Sequence, residues 1–183
     1  MCAQEALDQL GLAGVTFVPT GQAPHREIDP EPGAGVRLRM CEAAVQGDSR
    51  FDVSRIEIDR GGPSFTVDTL RALEGRELVV ILGGDQAAAL PAWREPDEIL
   101  RLATVAVAER EDFDRERIRM AFVGLSGSDE IVHFGMPRVD ISSTLVRRRA
   151  AEGKPIRYLV PDAVAEIVEA ELLYPESAAV GGE

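Results

Sequence analysis

The chain has 183 residues, of which 20 are Lys or Arg and 32 are Asp or Glu, so its net charge is −12 at pH 7. Such an acidic chain lacks the basic surface that nucleic acids and anionic membranes require, and we predict that it binds neither. Its hydrophobic content of 45% is typical of globular domains. No apolar run approaches the roughly 20 residues of a membrane span, and no signal-peptide pattern is present, so we expect a cytoplasmic protein.

The composition predicts a single domain over residues 1–174, followed by a flexible tail over residues 175–183. The two cysteines, Cys2 and Cys41, are far apart and have no C-x-x-C spacing. Neither a disulfide nor a zinc site is therefore expected, and both cysteines are predicted to be small apolar residues on helices.

Apolar residues along the chain switch repeatedly between helical and strand periods. Ala3, Ala6, Leu7 and Leu10 share one face of a first helix, which Gly11 is predicted to end. The further helices are predicted around Leu38–Ala44, Val67–Leu73, Pro96–Leu102, Ser142–Glu152 and Pro161–Leu172. Residues 112–129 show no assignable pattern.

The strands alternate with these helices, and they are predicted at Val15–Val18, Phe51–Ile58, Leu78–Leu82, Thr104–Ala108 and the segment IVHFG. The first is expected to be short and buried. The run Leu78–Leu82 is typical of a parallel strand buried on both faces. Alternating strands and helices indicate an α/β fold with a mostly parallel sheet and right-handed crossovers.

Ligands of such folds bind outside the carboxyl ends of the strands, so the segments after predicted strands are candidate sites. The first segment presents His25 and Arg26 together, which suits a phosphate; a solvated loop is the alternative. The second segment, GGPSFTVDT, is a glycine-rich turn at a helix start, where free N–H groups suit an anion. Its alternative is an ordinary helix capped by Ser64 or Thr66.

The third segment follows the most apolar strand and contains Gly83 and Asp85. Glycine lets a ligand approach the backbone, and Asp85 suits ribose hydroxyls, although it suits a helix N-cap equally well. Trp93 is the sole tryptophan. It follows a proline in a polar stretch, where it could stack on a planar ligand instead of packing in the core.

The fourth segment, DISSTLVRRR, places the hydroxyls of Ser142, Ser143 and Thr144 at a helix start, with three arginines one turn later. Hydroxyls, free N–H groups and the helix dipole together favour a polyphosphate. The alternative is a helix capped by Ser142 with solvated arginines. Because this is the densest basic cluster of an acidic chain, we favour the binding site.

Taken in order, these segments resemble the bacterial nicotinate-nucleotide adenylyltransferases over nearly the whole chain. The matching runs are FVPTGQAPHR, RLRM, IEIDRGGPSFTVDTL, LGGD with LPAW, DISSTLVR, and YLVPDAV with LLY. The resemblance implies a Rossmann-like nucleotidyltransferase fold with helices on both faces of the sheet. It also implies transfer of AMP from ATP to nicotinate mononucleotide, with Mg²⁺ held mainly by the substrate phosphates and no metal site on the protein. A homo-oligomer is left open.

The resemblance also assigns roles by position. The catalytic residues would be Ser143, Thr144 and Arg147. The residues that would bind ATP are Gly83, Asp85, Ile141, Ser142, Ser143, Thr144 and Arg147. The residues that would bind nicotinate mononucleotide are His25, Arg26, Thr66, Asp68, Trp93 and Arg94.

The chain departs from the family in its histidines. The family begins with a strand and a G-x-F-x-P-x-H-x-G-H signature, whereas the only histidines here are His25 and His133. We therefore expect the native enzyme to carry that strand and both signature histidines upstream of Met1. The alternatives are a remnant that binds nucleotide without catalysis, or an adenylyltransferase for another phosphate acceptor.

Overall fold

The structure is a computed structural model, and it describes residues 1–23, 32–73, 75–109, 114–127 and 131–175. These residues form two compact units. The first unit contains Met1–Val15 and Ser64–Arg138, and the second contains the described parts of Thr16–Pro63 and Val139–Glu183. The single domain over 1–174 and its tail remain predictions. None of the helices in the described ranges is long and apolar enough to cross a membrane.

The helices are α1 (Cys2–Gln9), α2 (Ala34–Val45), α3 (Ile56–Arg60), α4 (Thr66–Ala72), α5 (Gly84–Ala89), α6 (Pro96–Leu102), α7 (Arg115–Ala121), α8 (Ser143–Ala151) and α9 (Asp162–Ala170). The strands are β1 (Val15–Phe17), β2 (Phe51–Val53), β3 (Val79–Gly83), β4 (Thr104–Glu109) and β5 (Val132–Gly135). A short 3₁₀ turn, Leu90–Ala92, lies between α5 and α6. The predicted alternation of strands and helices is confirmed.

The first unit is built on a three-stranded sheet in the order β3-β4-β5. Both pairs of strands are parallel, with Val79 opposite Thr104 and Ala106 opposite Val132. The central strand β4 is buried over most of its length, as its apolar run TVAVA predicts. The predicted parallel sheet is therefore confirmed.

Helices cover both faces of this sheet, as expected. On one face, Val105 and Val107 join a core that also contains residues of α4, α5, α6 and α7. On the other face, Ala106 and Ala108 pack with Ala6 of α1 and with Phe134. The alternation along β4 divides its side chains between the two cores because successive strand residues point to opposite faces.

Two strands are less buried than predicted. The residues of β3 from Val79 to Leu82 are half-buried, because β3 is an edge strand of its sheet. In β1, Thr16 is exposed and Phe17 is 36% exposed. The strand β1 belongs to a separate two-stranded sheet with β2, which provides less cover than a central position would.

The second unit joins this two-stranded sheet to α2, α8 and α9. Ser54 donates its backbone N–H to the carbonyl of Phe17 at 2.8 Å, and the rings of Phe17 and Phe51 meet edge to face at 6.2 Å. The buried core of this unit comes from α8, α9 and the loop between them; it contains Val146, Ile156, Ala165 and Val168.

The strand predicted over Phe51–Ile58 is wrong in its second half. Only β2 is a strand, and Ile56–Arg60 forms α3. The side chain of Ser54 accepts a hydrogen bond from the Ile56 N–H at 3.3 Å, just before this helix begins. The apolar spacing explains the error, because the step from Val53 to Ile56 is three residues and interrupts the period of two that a strand requires.

Helix ends confirm some predictions and correct others. Gly11 ends α1 as predicted, with a φ of 62° and a hydrogen bond from Leu12 N–H to the Leu7 carbonyl at 3.1 Å. The N-cap position of α4 is occupied by Phe65 and not by Ser64 or Thr66. The alternative in which Asp85 is a helix N-cap does not hold either, since the N-cap of α5 is Gly83.

The unassigned stretch over residues 112–129 contains α7. Its N-cap is Asp114, whose side chain accepts a hydrogen bond from the Arg117 N–H at 3.0 Å. Ile118 and Phe122 from this region are buried in the core of the first unit. The cap and the spacing of four between the two apolar residues were readable signals of a helix.

The predicted helical positions of the two cysteines are confirmed: Cys2 lies on α1, Cys41 lies on α2, and neither forms a disulfide. His133 lies on the edge strand β5, with its Nδ1 atom 3.1 Å from Oε1 of Glu109. The predicted core or edge placement of this histidine is therefore resolved as an edge.

Candidate active site

The start of α4 and the segment after the 3₁₀ turn meet in the first unit. The guanidinium of Arg94 lies over the ring of Phe65, 4.8 Å from the ring centre. The same group is 3.4 Å from Oδ2 of Asp68. These contacts join the run GPSFTVDT to the run LPAWR, which is LPAW with the Arg94 that follows it. Asp68 and Arg94 are 26 positions apart in the sequence. Four of the predicted mononucleotide-binding residues belong to these two runs.

Trp93 is half-buried and packs against the core of the first unit, as Phe65 also does. Its backbone N–H donates to the carbonyl of the fully buried Leu90 at 2.9 Å. The sequence left core packing and ligand stacking as alternatives for this side chain. The indole combines core contact with partial exposure, and an amphipathic aromatic ring suits such a position.

Arg71 and Glu95 connect α4 to the segment after Trp93, and neither was predicted from the sequence as a site residue. Arg71 of α4 forms a bidentate pair with Glu95 at 2.5 and 3.3 Å, and it lies 3.7 Å from Asp68 and 3.6 Å from Glu98. The hydrogen bond from Arg71 lowers the pKa of Glu95 below its usual value. The same bond raises the pKa of Arg71.

Glu95 also has an unusual backbone. It is the N-cap of α6 and lies in the left-handed region, with φ 53° and ψ 60°. A non-glycine residue rarely adopts this conformation, which is strained. Pro96 at the first helical position marks residue 95 as a helix boundary in the sequence. Neither the left-handed backbone nor the partner Arg71 could be read from that signal.

The predicted ribose-binding residues lie where β3 leads into α5. Gly83 is the last residue of β3, Asp85 is in the first turn of α5, and both are exposed. The backbone of Gly83, with φ −78°, is one that any residue adopts, and among the described atoms nothing lies within 4 Å of an added Cβ. The fold of the described residues therefore does not itself require glycine at this position.

The predicted phosphate-binding residues form the start of α8 in the second unit. Ser142 is the N-cap, and its Oγ accepts a hydrogen bond from the Leu145 N–H at 3.1 Å, so the capping that the sequence offered as the alternative is present. The first backbone bond of the helix runs from Val146 N–H to the Ser142 carbonyl at 3.0 Å. The N–H groups of Ser143 and Thr144 precede it and point out of the helix start. Ile141 just before them is 42% exposed.

The three arginines of α8 face different groups. Arg147 lies one turn into the helix, and its Nη2 is 3.5 Å from the hydroxyl of Thr144. Arg149 instead donates two bonds to the carbonyl of Pro155, at 2.8 and 3.0 Å. Arg148 is exposed. Of the three, Arg147 is the one in contact with a hydroxyl of the helix start.

The loop after β1 is held by Arg37 of α2. Its guanidinium donates to the carbonyls of Thr20, Gly21 and Pro32, at 2.5, 3.3 and 3.4 Å. His25 and Arg26 lie outside the described residues. Elsewhere in this unit, burial raises the pKa of the Tyr174 hydroxyl, while the charges of Arg147 and Arg37 act in the opposite direction.

The structure thus gathers Thr66, Asp68, Trp93 and Arg94 in the first unit, which also contains Gly83 and Asp85. The remaining predicted ATP-binding residues, Ile141–Thr144 and Arg147, lie together at the start of α8 in the second unit. Within the described ranges, no group of three His, Cys, Asp or Glu side chains is arranged to hold a metal ion.

Comparison with known proteins places this arrangement in a class. Residues 1–149 match the cytidylyltransferase-like family. The fold is similar to that of the Plasmodium falciparum nicotinic acid mononucleotide adenylyltransferase in complex with NaAD, with a TM-score of 0.72, 15% identity, and coverage of 94% of this chain and 90% of the other. The fold and the matched family define a nucleotidyltransferase.

Sequence relatives narrow the class. The chain is 39% identical to a nicotinate-nucleotide adenylyltransferase of Rubrobacter xylanophilus over 177 residues, which are 94% of this chain and 83% of the relative. It is 38% identical to a protein of the same name from Corynebacterium kroppenstedtii, over 99% of this chain and 86% of the relative. The chain belongs to the nicotinate-nucleotide adenylyltransferase family.

Proposed function

We propose that the protein transfers AMP from ATP to nicotinate mononucleotide. A phosphate oxygen of the mononucleotide forms a bond to the α-phosphorus of ATP, and the bond from that phosphorus to the bridging oxygen of the β-phosphate breaks. The products are nicotinate adenine dinucleotide and pyrophosphate. No covalent enzyme intermediate is needed, so the protein acts by aligning two polyanions and stabilising the charge that develops between them.

The observation that carries the proposal is the contact between the runs GPSFTVDT and LPAWR around Asp68 and Arg94. We assign the mononucleotide to this region. The half-buried ring of Trp93 offers a flat face for the nicotinate ring. The backbone N–H groups of Thr66 and Arg94 would bind its carboxylate, and Asp68 would hold Arg94 in place. His25 and Arg26 are assigned to the mononucleotide phosphate.

We assign ATP to the start of α8 and to the end of β3. At α8, the hydroxyls of Ser142, Ser143 and Thr144 and the N–H groups of the first turn suit the phosphates, and Ile141 borders them. Arg147 would stabilise the charge on the transferred phosphate. At the end of β3, Gly83 would allow close approach of the adenosine, and Asp85 would accept hydrogen bonds from its ribose.

We propose that Mg²⁺ enters as part of the ATP complex and is held mainly by the phosphates. The described residues form no metal-binding cluster, and no step is assigned to a protein-held ion. We place the reaction in the cytoplasm, as the sequence analysis expected.

A pyrophosphate-release assay tests the activity. With ATP and Mg²⁺, we expect pyrophosphate with nicotinate mononucleotide and much less with nicotinamide mononucleotide, which lacks the carboxylate. Binding of both substrates without pyrophosphate release, both in this chain and in a form extended upstream of Met1, would support a nucleotide-binding remnant instead. Release with a different phosphate acceptor, and none with nicotinate mononucleotide, would support the other alternative.

Trp93→Ala tests the acceptor side. We expect the Kd for nicotinate mononucleotide to rise by roughly 10-fold, because a stacked aromatic contact contributes about 1–3 kcal/mol, while the Kd for ATP changes little. Tyr158→Ala is the control, since Tyr158 is 84% exposed in the second unit. Both constants can be measured by isothermal titration calorimetry. Equal losses for the two substrates in Trp93→Ala would contradict the assigned role.

A further inference from the structure

The region around Trp93 contains a strained residue held by a charge pair. Glu95 has its backbone in the left-handed region, with φ 53°, two residues after Trp93. Its carboxylate is held by both Nη atoms of Arg71, at 2.5 and 3.3 Å. The chain therefore turns sharply between the Trp93 ring and the start of α6.

This turn is anchored on its helical side. The carbonyl of Glu95 accepts the N–H of Ile99 at 3.1 Å, which begins the hydrogen bonds of α6, and Ile99 is fully buried. On the other side, the N–H of Trp93 is bonded to the Leu90 carbonyl at 2.9 Å. Only Arg94 lies between these two hydrogen-bonded residues, Trp93 and Glu95. The backbone angles of Glu95 therefore determine the direction in which residues 93 and 94 leave the start of α6.

Ion pairs between side chains also connect α4 to the segment that carries Trp93. Arg71 is 3.7 Å from Asp68, Asp68 is 3.4 Å from Arg94, and Arg94 is 3.5 Å from the carboxylate of Glu95. The four charged groups form a closed ring between α4 and the segment that carries Trp93. Arg71 and Glu95 are each 40% exposed, so the bidentate geometry matters more than burial for the strength of their pair.

We propose that Arg71 and Glu95 are a positioning pair for the mononucleotide site: their ion pair holds residue 95 in the left-handed conformation and thereby fixes Trp93 and Arg94. The role in substrate binding rests on the function proposed above. Neither side chain needs to touch the substrate. Each acts through the backbone of the segment between residues 93 and 95.

The strained conformation supplies a rescue test. Arg71→Met removes the ion pair, and the left-handed penalty at Glu95 then favours other conformations by about 10-fold. Glycine carries no such penalty, so Glu95→Gly has no need of the ion pair. The double variant Arg71→Met/Glu95→Gly should therefore behave nearly as the unaltered protein does. Arg119→Met is the matched control, because Arg119 forms a similar bidentate pair with Glu116 on α7.

Trp93 is the only tryptophan, so its fluorescence reports on this segment without any substrate. We expect Arg71→Met to shift the emission maximum and to raise the KM for nicotinate mononucleotide about 10-fold, with kcat and the KM for ATP within about twofold. In the double variant, emission should return and the KM should fall to within about threefold of the original. Arg119→Met should change none of these quantities.

The outcomes separate the two proposals. If Arg71→Met leaves the Trp93 emission and the KM unchanged, or if Glu95→Gly fails to restore them, the positioning pair is refuted. If the unaltered protein neither binds nor adenylylates nicotinate mononucleotide, the proposed function is refuted, and with it the role of the pair in binding this substrate. An emission change reversed by Glu95→Gly would, even then, identify the pair as the device that holds Trp93. Thermal unfolding of each variant checks that the comparison is made on folded protein.

Discussion

Ser142 allows helix capping and phosphate binding to be measured separately. Its Oγ accepts the Leu145 N–H at 3.1 Å, which satisfies one of the free donors at the start of α8. Ser142→Ala removes that bond and should lower the free energy of unfolding by about 1 kcal/mol. For a chain of this length, such a loss lowers Tm by roughly 2–4 °C. Ser142→Asn and Ser142→Asp both retain a capping oxygen and should keep the stability of the protein.

The two capping variants differ in charge. If an ATP phosphate lies at the start of α8, the carboxylate of Ser142→Asp stands close to it, and repulsion at about 4 Å costs up to about 4 kcal/mol at an effective dielectric constant near 20. Ser142 is exposed, so solvent screening reduces this cost. We therefore expect the Kd for ATP to rise about 100-fold relative to Ser142→Asn, which corresponds to about 2.7 kcal/mol.

Thermal unfolding and calorimetric titration with ATP measure the two effects on the same samples. Ser142→Ala should lose both stability and affinity, the latter about 10-fold because a hydrogen bond to a charged group contributes roughly 1.5–3 kcal/mol. Equal ATP affinity in Ser142→Asp and Ser142→Asn would refute phosphate binding at α8. Unchanged stability in Ser142→Ala would refute the capping role.

Two further predictions concern charge. Arg147→Ala should lower kcat about 100-fold, because it removes one donor to the charge that develops on the transferred phosphate. Arg148→Ala is the control and should not lower kcat. An unaltered kcat of Arg147→Ala in steady-state assays would show that Arg147 is not part of the site. The bonds from Arg50 lower the pKa of Asp48 from 3.8 to about 2, so its contribution to stability is present above pH 4 and is lost as the pH falls toward 2. The Tm of the unaltered protein should therefore fall as the pH is lowered through this window, and the Tm of Arg50→Met should fall less steeply. Equal slopes of Tm against pH in the two proteins would contradict this contribution.

Much of the fold could be predicted from apolar periodicity, because a buried strand or an amphipathic helix shows its pattern within a few consecutive residues. The strand β4 and the helix α6 follow their predictions closely. The pattern fails where the segments are short: in residues 51–58 the spacing change at Val53 marks the end of β2, and α3 follows. The extent of burial also depends on tertiary structure. The apolar run of β3 does not indicate that this strand lies at the edge of its sheet, where its residues are only half-buried.

The sequence by itself determined the family motifs, the parallel sheet and the local helix ends at Gly11 and Ser142. The motifs and helix ends depend on residues that are close in the chain. The parallel sheet pairs distant residues, such as Val79 and Thr104, but the alternation of strands and helices along the chain already indicates it. Only the tertiary structure decided that Arg71 pairs with Glu95, 24 residues away, and that Glu95 is left-handed. Such pairings depend on how α4 and α6 pack, and the sequence around each residue does not indicate which residue it pairs with.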